Sequence, residues 1–174
     1  MNAPKVVTVF GSNDPRPGEV AYDVARQVGQ VLGELGYAIA NGGYGGTMEA
    51  SAAGAAQAGA HTIGVTCSVW RSQPNRHIRQ VVATAAMHER LLRLVELGTG
   101  GYVVLPGATG TLAELAWVWE LMCKRQLDLR PVVCVGRFWA PLLAMMETAR
   151  PGSETLIRLV TTPADLREVF PKAD

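Results

Sequence analysis

Short runs of β-branched and apolar residues alternate with segments of helical periodicity along the whole chain, and this alternation constrains its fold more than any other feature. The first run, residues 6–10, reads Val-Val-Thr-Val-Phe and ends at Gly11, which is typical of a buried strand. In residues 20–35 apolar side chains recur at helical spacing and stop before Gly36, a common helix-ending residue. Repetition of this strand-helix unit predicts an α/β fold with a doubly wound, mainly parallel sheet and helices on both faces.

The same patterns place the remaining elements. Further strands are predicted at residues 37–40, 62–66, 102–105, 131–135 and, as a short last strand, 156–160. Helices are predicted at residues 47–58, 85–97, 112–122, 138–148 and 163–170. With the five main strands counted in chain order, the expected sheet order is 3-2-1-4-5 or a close variant. The length of 174 residues, with no linker or repeat in the sequence, predicts a single domain over residues 1–174.

Residues 67–80 are the least regular stretch of the sequence. They contain Trp70, Arg71, Pro74, Arg76 and Arg79. Two interpretations are open: an ordinary solvent-exposed excursion, which is the more common case, or a loop that lies over a site.

Charge and composition exclude several classes of protein. The net charge of +1 gives no global attraction to nucleic acid or to an anionic membrane, and a content of 48% apolar residues excludes a disordered chain. The sequence shows neither a signal peptide nor an apolar run of the ~18 residues that a transmembrane helix needs. Three unclustered cysteines, Cys67, Cys123 and Cys134, indicate reduced thiols without a metal site. We therefore expect a cytoplasmic protein with no metal, membrane or nucleic-acid partner.

Glycine-rich turns follow three of the predicted strands. They are Gly11-Ser12, the cluster of Gly42, Gly43, Gly45 and Gly46, and the segment Pro106, Gly107, Ala108, Thr109, Gly110 and Thr111. Because the carboxyl ends of parallel strands share one edge of a sheet, all three turns should lie close together. This convergence predicts a small-molecule site at that edge.

The third turn has the features of a phosphate site. It follows a strand and opens a helix, so the free amides and the dipole of the helix N-terminus favour an anion. The alternative is a tight strand-to-helix turn without a ligand, since short glycine motifs are common. The segment lacks the Gly-Lys-Ser/Thr ending of a P-loop, and the dinucleotide fingerprint Gly-x-Gly-x-x-Gly is missing after the first strand.

Two charged residues are candidates for chemistry. Glu114 lies early in the helix after the third turn, either as a charge or capping residue of the helix N-terminus or as a carboxylate directed at a ligand. Arg90 and Arg93 share one side of the helix at 85–97, where an arginine is usually a solvated surface charge.

Two motifs taken together carry a family resemblance. The run Met87-His88-Glu89-Arg90, followed by Pro106-Gly107-x-x-Gly110-Thr111-x-x-Glu114, resembles the LOG (Lonely Guy) family, whose members are often labelled "possible lysine decarboxylase". The resemblance takes in the other two glycine turns and covers residues 5–150. It implies a Rossmann-like nucleotide-binding domain, usually dimeric, that splits a nucleoside 5′-monophosphate into free base and ribose 5-phosphate, as in cytokinin activation. It also implies that Arg90 and Glu114 form the catalytic pair and that Met87 and the three turns bind the substrate.

The chain departs from the family pattern in several places. Ala108 stands where the motif has its second glycine, Ala113 where an acidic residue often precedes the glutamate, and Leu91 where a lysine commonly follows the arginine. The cluster at 42–48 is also not of the usual form. These changes favour the divergent bacterial branch of the family, and the related molybdenum-cofactor carrier proteins share the fold and bind a ligand without hydrolysing it. Since Arg90 and Glu114 are both retained, hydrolysis remains the first interpretation, and a nucleotide or cofactor carrier is the alternative.

Lysine decarboxylation is not expected in spite of the label. Pyridoxal phosphate chemistry needs a lysine for the Schiff base, and Lys5, Lys124 and Lys172 all lie away from the glycine turns. We therefore expect no cofactor.

A homodimer or larger homo-oligomer is expected, because family members assemble in this way and because two helices are rich in apolar residues. They are the helices at 85–97 and 112–122, and the second contributes Trp117, Val118, Trp119, Leu121 and Met122. The alternative is that these side chains simply pack on the sheet.

In the implied reaction, Glu114 would stabilise positive charge on the ribose or orient a water. Arg90 would hold Glu114 ionised or contact the substrate directly. His88, Glu89 and solvent all remain open as the source of a proton for the departing base.

Overall fold

The computed structural model describes residues 4–173, and within them seven strands form one parallel sheet. The strands are β1 (Val6–Phe10), β2 (Ala38–Asn41), β3 (Thr62–Cys67), β4 (Gln80–Thr84), β5 (Gly101–Val104), β6 (Val132–Val135) and β7 (Arg158–Val160). Their order across the sheet is β4-β3-β2-β1-β5-β6-β7, and every neighbouring pair is parallel. The predicted order of the five main strands and the doubly wound α/β fold are therefore confirmed.

Helices connect the strands and cover the sheet. The α-helices are α1 (Val20–Glu34), α2 (Thr47–Gln57), α3 (Met87–Leu97), α4 (Thr109–Cys123) and α5 (Ala140–Ala149), and 3-10 helices lie at Ser153–Leu156 and Pro163–Glu168. The predicted terminal helix at 163–170 is thus a shorter 3-10 helix, begun by a capping box between Thr162 and Asp165. Within residues 4–173, no helix is long and apolar enough to span a bilayer.

The sheet separates two apolar cores. Successive strand residues point to opposite faces, so Val103 packs with α1 residues such as Val28 and Leu32. The neighbouring Tyr102 and Val104 pack on the other side, against residues of α3 and α4. The two cores hold the strands rigidly, and thereby fix the positions of the turns that follow them.

β4 is a strand that the sequence pattern does not predict. It pairs with β3 in parallel register, from Ile63 opposite Gln80 to Cys67 opposite Thr84. It lies at the edge of the sheet and most of its side chains are exposed, Val81 among them. An edge strand of this kind lacks the continuous apolar run of a buried parallel strand, which is why its sequence resembles a loop.

Much of the apolar surface of α4 is buried in the core. Val118, Trp119 and Met122 are buried, and the Trp119 indole N–H donates to the Ser153 carbonyl at 2.8 Å. These three side chains pack on the sheet, as in the alternative interpretation of this helix. Trp117 remains 40% exposed.

Candidate active site

The carboxyl ends of β1, β2, β3 and β5 open into one cavity of about 400 Å³. From the central β1, the chain adds β2, β3 and β4 on one side and then returns to build β5, β6 and β7 on the other. The cavity therefore lies at the switch in strand order, where open α/β sheets bind their ligands.

Many of the predicted site residues line this cavity. They are Gly11, Ser12, Gly42, Arg90, Ala108, Gly110, Thr111 and Glu114. The remaining ones, which do not line it, are Gly43, Gly45, Gly46, Met87, Pro106, Gly107 and Thr109.

Residues of the second group support the turns or lie apart from the cavity. Gly46 has a φ of +62°, and a Cβ there would collide with the Ser12 carbonyl oxygen, so this glycine allows the first two turns to touch. Met87 is the first residue of α3 and is 60% exposed. Its predicted contact with a substrate is therefore not supported by its position.

Several residues of the cavity wall are not among the predicted site residues. They include Asn13, Asp14, Tyr44, Met48, Trp70 and Ser72. Trp70 and Ser72 belong to the irregular segment between β3 and β4, so this part of the segment lies over the cavity. The available signal is the residue type, because an aromatic side chain in a glycine cluster or polar loop has no core of its own to fill.

Arg90 reaches the cavity from α3 and is held by several groups. Its Nε donates to the Val65 carbonyl oxygen at 2.8 Å, and its side chain is only 14% exposed. The guanidinium carbon lies 5.8 Å from the ring centroid of Tyr44 and 5.4 Å from that of Trp70, within the range of a cation–π contact. A Cβ on Gly42 would collide with this guanidinium, so the glycine makes room for the arginine. Arg90 is therefore not the solvated surface charge that its helix position suggests.

Glu114 lies beside Arg90 in the cavity wall. Its Oε1 is 3.7 Å from Arg90 Nη1, and its side chain is 13% exposed. Burial raises the pKa of Glu114 from 4.5 to about 7, although the charge of Arg90 opposes the rise. Arg90 thus favours the ionised form of this carboxyl, as one of the two expected roles requires, but desolvation outweighs the single cation. At neutral pH both the acid and the carboxylate are populated.

This pKa predicts a change in stability with pH. The folded protein retains a proton on Glu114 that the unfolded chain releases, so stability falls as the pH rises from about 4.5 to about 7. At about 1.4 kcal/mol per unit of pKa difference, the loss is about 3 kcal/mol. Glu114→Gln removes this titration. The free energy of unfolding of this variant should therefore increase relative to that of the wild type, by about 3 kcal/mol as the pH rises from about 4.5 to about 7. Urea unfolding at several pH values measures this, and Glu120→Gln, at a half-exposed position on the same helix, is the control. Parallel pH curves for Glu114→Gln and the wild type would contradict it.

Residues at the start of α4 line the same cavity as this pair. Ala108 occupies the N-cap and provides no side-chain cap, so the first amides of the helix lack a side-chain acceptor. Thr111 is 3% exposed and lines the cavity, and within the described residues its hydroxyl has no hydrogen-bond partner. Uncapped amides and an unpaired hydroxyl at the cavity wall favour a phosphate or another anion here.

The arrangement offers no metal site and no lysine. Among residues 4–173, no group of three or more His, Cys, Asp or Glu side chains could hold a metal ion. Lys5 precedes β1 at the opposite end of the strand, Lys124 follows α4, Lys172 lies near the C-terminus, and none of them lines the cavity.

Comparison with known proteins places the chain in a family. The family model described as "Possible lysine decarboxylase" matches residues 48–170. The chain belongs to this family. The match covers α2, both motifs and the strands around them, and it confirms the resemblance to the LOG proteins.

Two relatives are about 30% identical to this family member over the aligned segments. An uncharacterized protein of Archaeoglobus fulgidus is 31% identical over 117 residues, which are 67% of this chain and 76% of that protein. A cytokinin riboside 5′-monophosphate phosphoribohydrolase of Mycobacterium tuberculosis is 30% identical over 116 residues, or 65% of this chain. The aligned part is 61% of that enzyme's length, less than two thirds.

Solved structures show the same fold. The molybdenum cofactor binding protein from the phototrophic bacterium Rippkaea orientalis superposes with a TM-score of 0.74, over 97% of this chain and 95% of that one. The two sequences are 22% identical, so the likeness concerns the fold alone.

Proposed function

We propose that this protein hydrolyses the N-glycosidic bond of a nucleoside 5′-monophosphate and releases free base and ribose 5-phosphate. The observation that carries the proposal is the buried Glu114, 3.7 Å from Arg90, in the same cavity as the uncapped start of α4. The name of the Mycobacterium tuberculosis relative supports the same chemistry and makes cytokinin nucleotides candidate substrates.

The helix geometry supports a defined placement of the substrate. The 5′-phosphate binds the amides at the start of α4 and the Thr111 hydroxyl. Glu114 follows the first residue of that helix by five positions, about 7.5 Å along its axis at 1.5 Å per residue. A ribose tethered through its phosphate can therefore present C1′ to the carboxyl, and such tethering lowers the barrier by several kcal/mol.

In the reaction, water replaces the base on the ribose, and the released base takes up a proton. The bond between C1′ and the base nitrogen breaks with its electron pair on the nitrogen, and a water oxygen forms the new bond to C1′. The ionised Glu114 stabilises the positive charge that develops on the ribose and takes a proton from the water. A pKa near 7 suits this carboxyl to pass the proton on to the departing base, which restores the carboxylate.

The other candidate proton donors are poorly placed for this step. His88 and Glu89 are exposed, and neither lines the cavity. The Glu89 carboxylate instead accepts a hydrogen bond at 2.9 Å from the amide of Ala85, which lies just before α3.

The decisive experiment is an assay for free base. The protein is incubated with AMP, GMP, CMP, UMP, IMP and N⁶-substituted AMP, and base and ribose 5-phosphate are separated by chromatography. We expect equal amounts of the two products from at least one nucleotide. Tight binding of a nucleotide or of molybdenum cofactor without any turnover would replace the hydrolase by the carrier function, for which the fold is equally suited.

Gly110 offers a separate test of the phosphate position. A Cβ at this residue would meet no atom within 4 Å, and the residue lines the cavity in the first turn of α4. Gly110→Ala should therefore leave the protein as stable as the wild type or more stable, by up to about 1 kcal/mol. If a phosphate sits on this turn, the added methyl group should weaken AMP binding at least tenfold. Thermal unfolding and calorimetric titration measure the two effects, and unchanged affinity would place the phosphate elsewhere.

Assembly is the remaining part of the proposal. We infer a homodimer whose interface includes exposed apolar residues of α3 and α4, namely Met87, Leu92, Leu112 and Trp117. Trp117→Glu should convert the dimer to a monomer in light scattering at micromolar concentration, while the matched control Phe138→Glu, at another exposed aromatic, should not. A monomeric wild-type protein would contradict the inference.

A further inference from the structure

We propose that Trp70 is the surface on which the base of the nucleotide stacks, and so the residue that determines base affinity. The inference rests on the proposed function for the class of ligand, a nucleotide, and on the geometry of the loop between β3 and β4 for the role of the tryptophan. The position of the Arg90–Glu114 pair beside Trp70 indicates the direction of the base.

Trp70 is a large apolar side chain that remains 38% exposed while it lines the cavity. Removing apolar indole surface from water is favourable. In a cavity, a planar heterocycle can cover that surface by stacking on the ring. Contact of the exposed Trp70 ring with a nucleobase is therefore more favourable than its contact with water.

The ring is held in place by Tyr44. The two rings meet edge to face, with centroids 5.7 Å apart and planes 85° apart. The Tyr44 hydroxyl donates to the Cys67 carbonyl oxygen at 3.1 Å and accepts from the Cys67 amide at 2.9 Å, so Tyr44 is fixed to the end of β3. A fixed Tyr44 presents Trp70 as a preorganised wall, which reduces the ordering that binding requires.

The order of groups along the cavity matches the order of parts in a nucleotide. Glu114 lies in the same helix as the uncapped start of α4, five positions after its first residue. Arg90 comes next, 3.7 Å from Glu114, and its guanidinium carbon lies 5.4 Å from the centroid of Trp70. A nucleotide with its phosphate on α4 and C1′ beside Glu114 therefore directs its base toward Trp70.

A second role for Trp70 is to hold Arg90, and the two roles predict different results. If the ring only positions Arg90, its loss affects every ligand that uses the Arg90–Glu114 pair, including one without a base. If the ring stacks on the base, its loss affects only ligands that carry a base. Comparison of AMP with ribose 5-phosphate separates the two.

The experiment measures binding of AMP and of ribose 5-phosphate by calorimetry. It compares Trp70, Trp70→Phe and Trp70→Leu, all in the Glu114→Gln background so that AMP is not consumed. Trp70→Leu should weaken AMP binding roughly tenfold or more and leave ribose 5-phosphate binding unchanged, and Trp70→Phe should retain most of the AMP affinity. Val69→Ala, next to it on the loop and outside the cavity lining, is the control for loop disturbance and should match the parent.

Equal losses for both ligands, or no loss for AMP, would overturn the inference. The measurement does not depend on turnover. A protein that binds AMP through Trp70 but never releases adenine contradicts the proposed hydrolysis and leaves the stacking intact, whereas hydrolysis with unchanged AMP affinity in Trp70→Leu does the reverse.

Discussion

Glu114→Gln is expected to lower the turnover number by about two orders of magnitude or more while AMP binds with nearly the wild-type affinity. The glutamine retains the size of the side chain but removes both the negative charge that stabilises an oxocarbenium-like ribose and the group that carries the proton. Steady-state kinetics gives the turnover number, and calorimetry gives the affinity.

The matched control for this variant is Glu120→Gln. Glu120 lies on the same helix and pairs with Lys124 and Arg150 at the surface, so its loss should leave turnover unchanged. Wild-type turnover in Glu114→Gln would contradict the mechanism. A loss of affinity as large as the loss of turnover would instead assign the carboxyl to binding alone.

Replacement of Arg90 is expected to lower activity about as much as Glu114→Gln does, but the loss should depend on pH. Arg90 is the cation that opposes the rise in the pKa of Glu114, so Arg90→Met should raise that pKa further above about 7. The catalytic efficiency, kcat/KM, should fall by about 100-fold at neutral pH. It should recover in part at higher pH, where Glu114 loses its proton.

Two further variants make the Arg90 result specific. Arg90→Lys preserves the charge but loses the donor to the Val65 carbonyl, so its pH profile should stay closer to that of the wild type. Arg93→Met, one turn further along α3 and paired with Glu96 at the surface, should behave as the wild type. An Arg90→Met profile with the wild-type midpoint would show that the arginine does not act through Glu114.

The shared edge of the three glycine turns could be predicted from the sequence because it follows from topology. Once strands are parallel, their carboxyl ends meet, so Gly11, Gly42 and Gly110 had to approach one another. The resemblance of the motifs around Arg90 and Glu114 to the LOG family implied the chemistry. None of these inferences required the path of a loop.

The features that escaped prediction depend on the packing of segments distant in sequence. Trp70 reaches the cavity because of the path of the loop after β3, which residue periodicity does not encode. The edge strand β4 has the exposed side chains of a loop. The pKa of Glu114 is raised by burial among neighbours from several elements, and the sequence shows its nearest charge but not its desolvation.

The wide spread of the cavity wall along the chain, from Val9 to Glu114, has a consequence for finding ligands. Strand ends, helices and loops that are far apart in sequence contribute to one wall, so no short fragment can retain the cavity and the unfolded chain should have little affinity for a ligand. Binding must then shift the unfolding equilibrium of the whole domain, and a ligand at 100 times its dissociation constant adds about 2.7 kcal/mol to the free energy of unfolding. A thermal-shift screen of nucleotides and pterins would therefore rank hydrolysed and non-hydrolysed ligands on one scale.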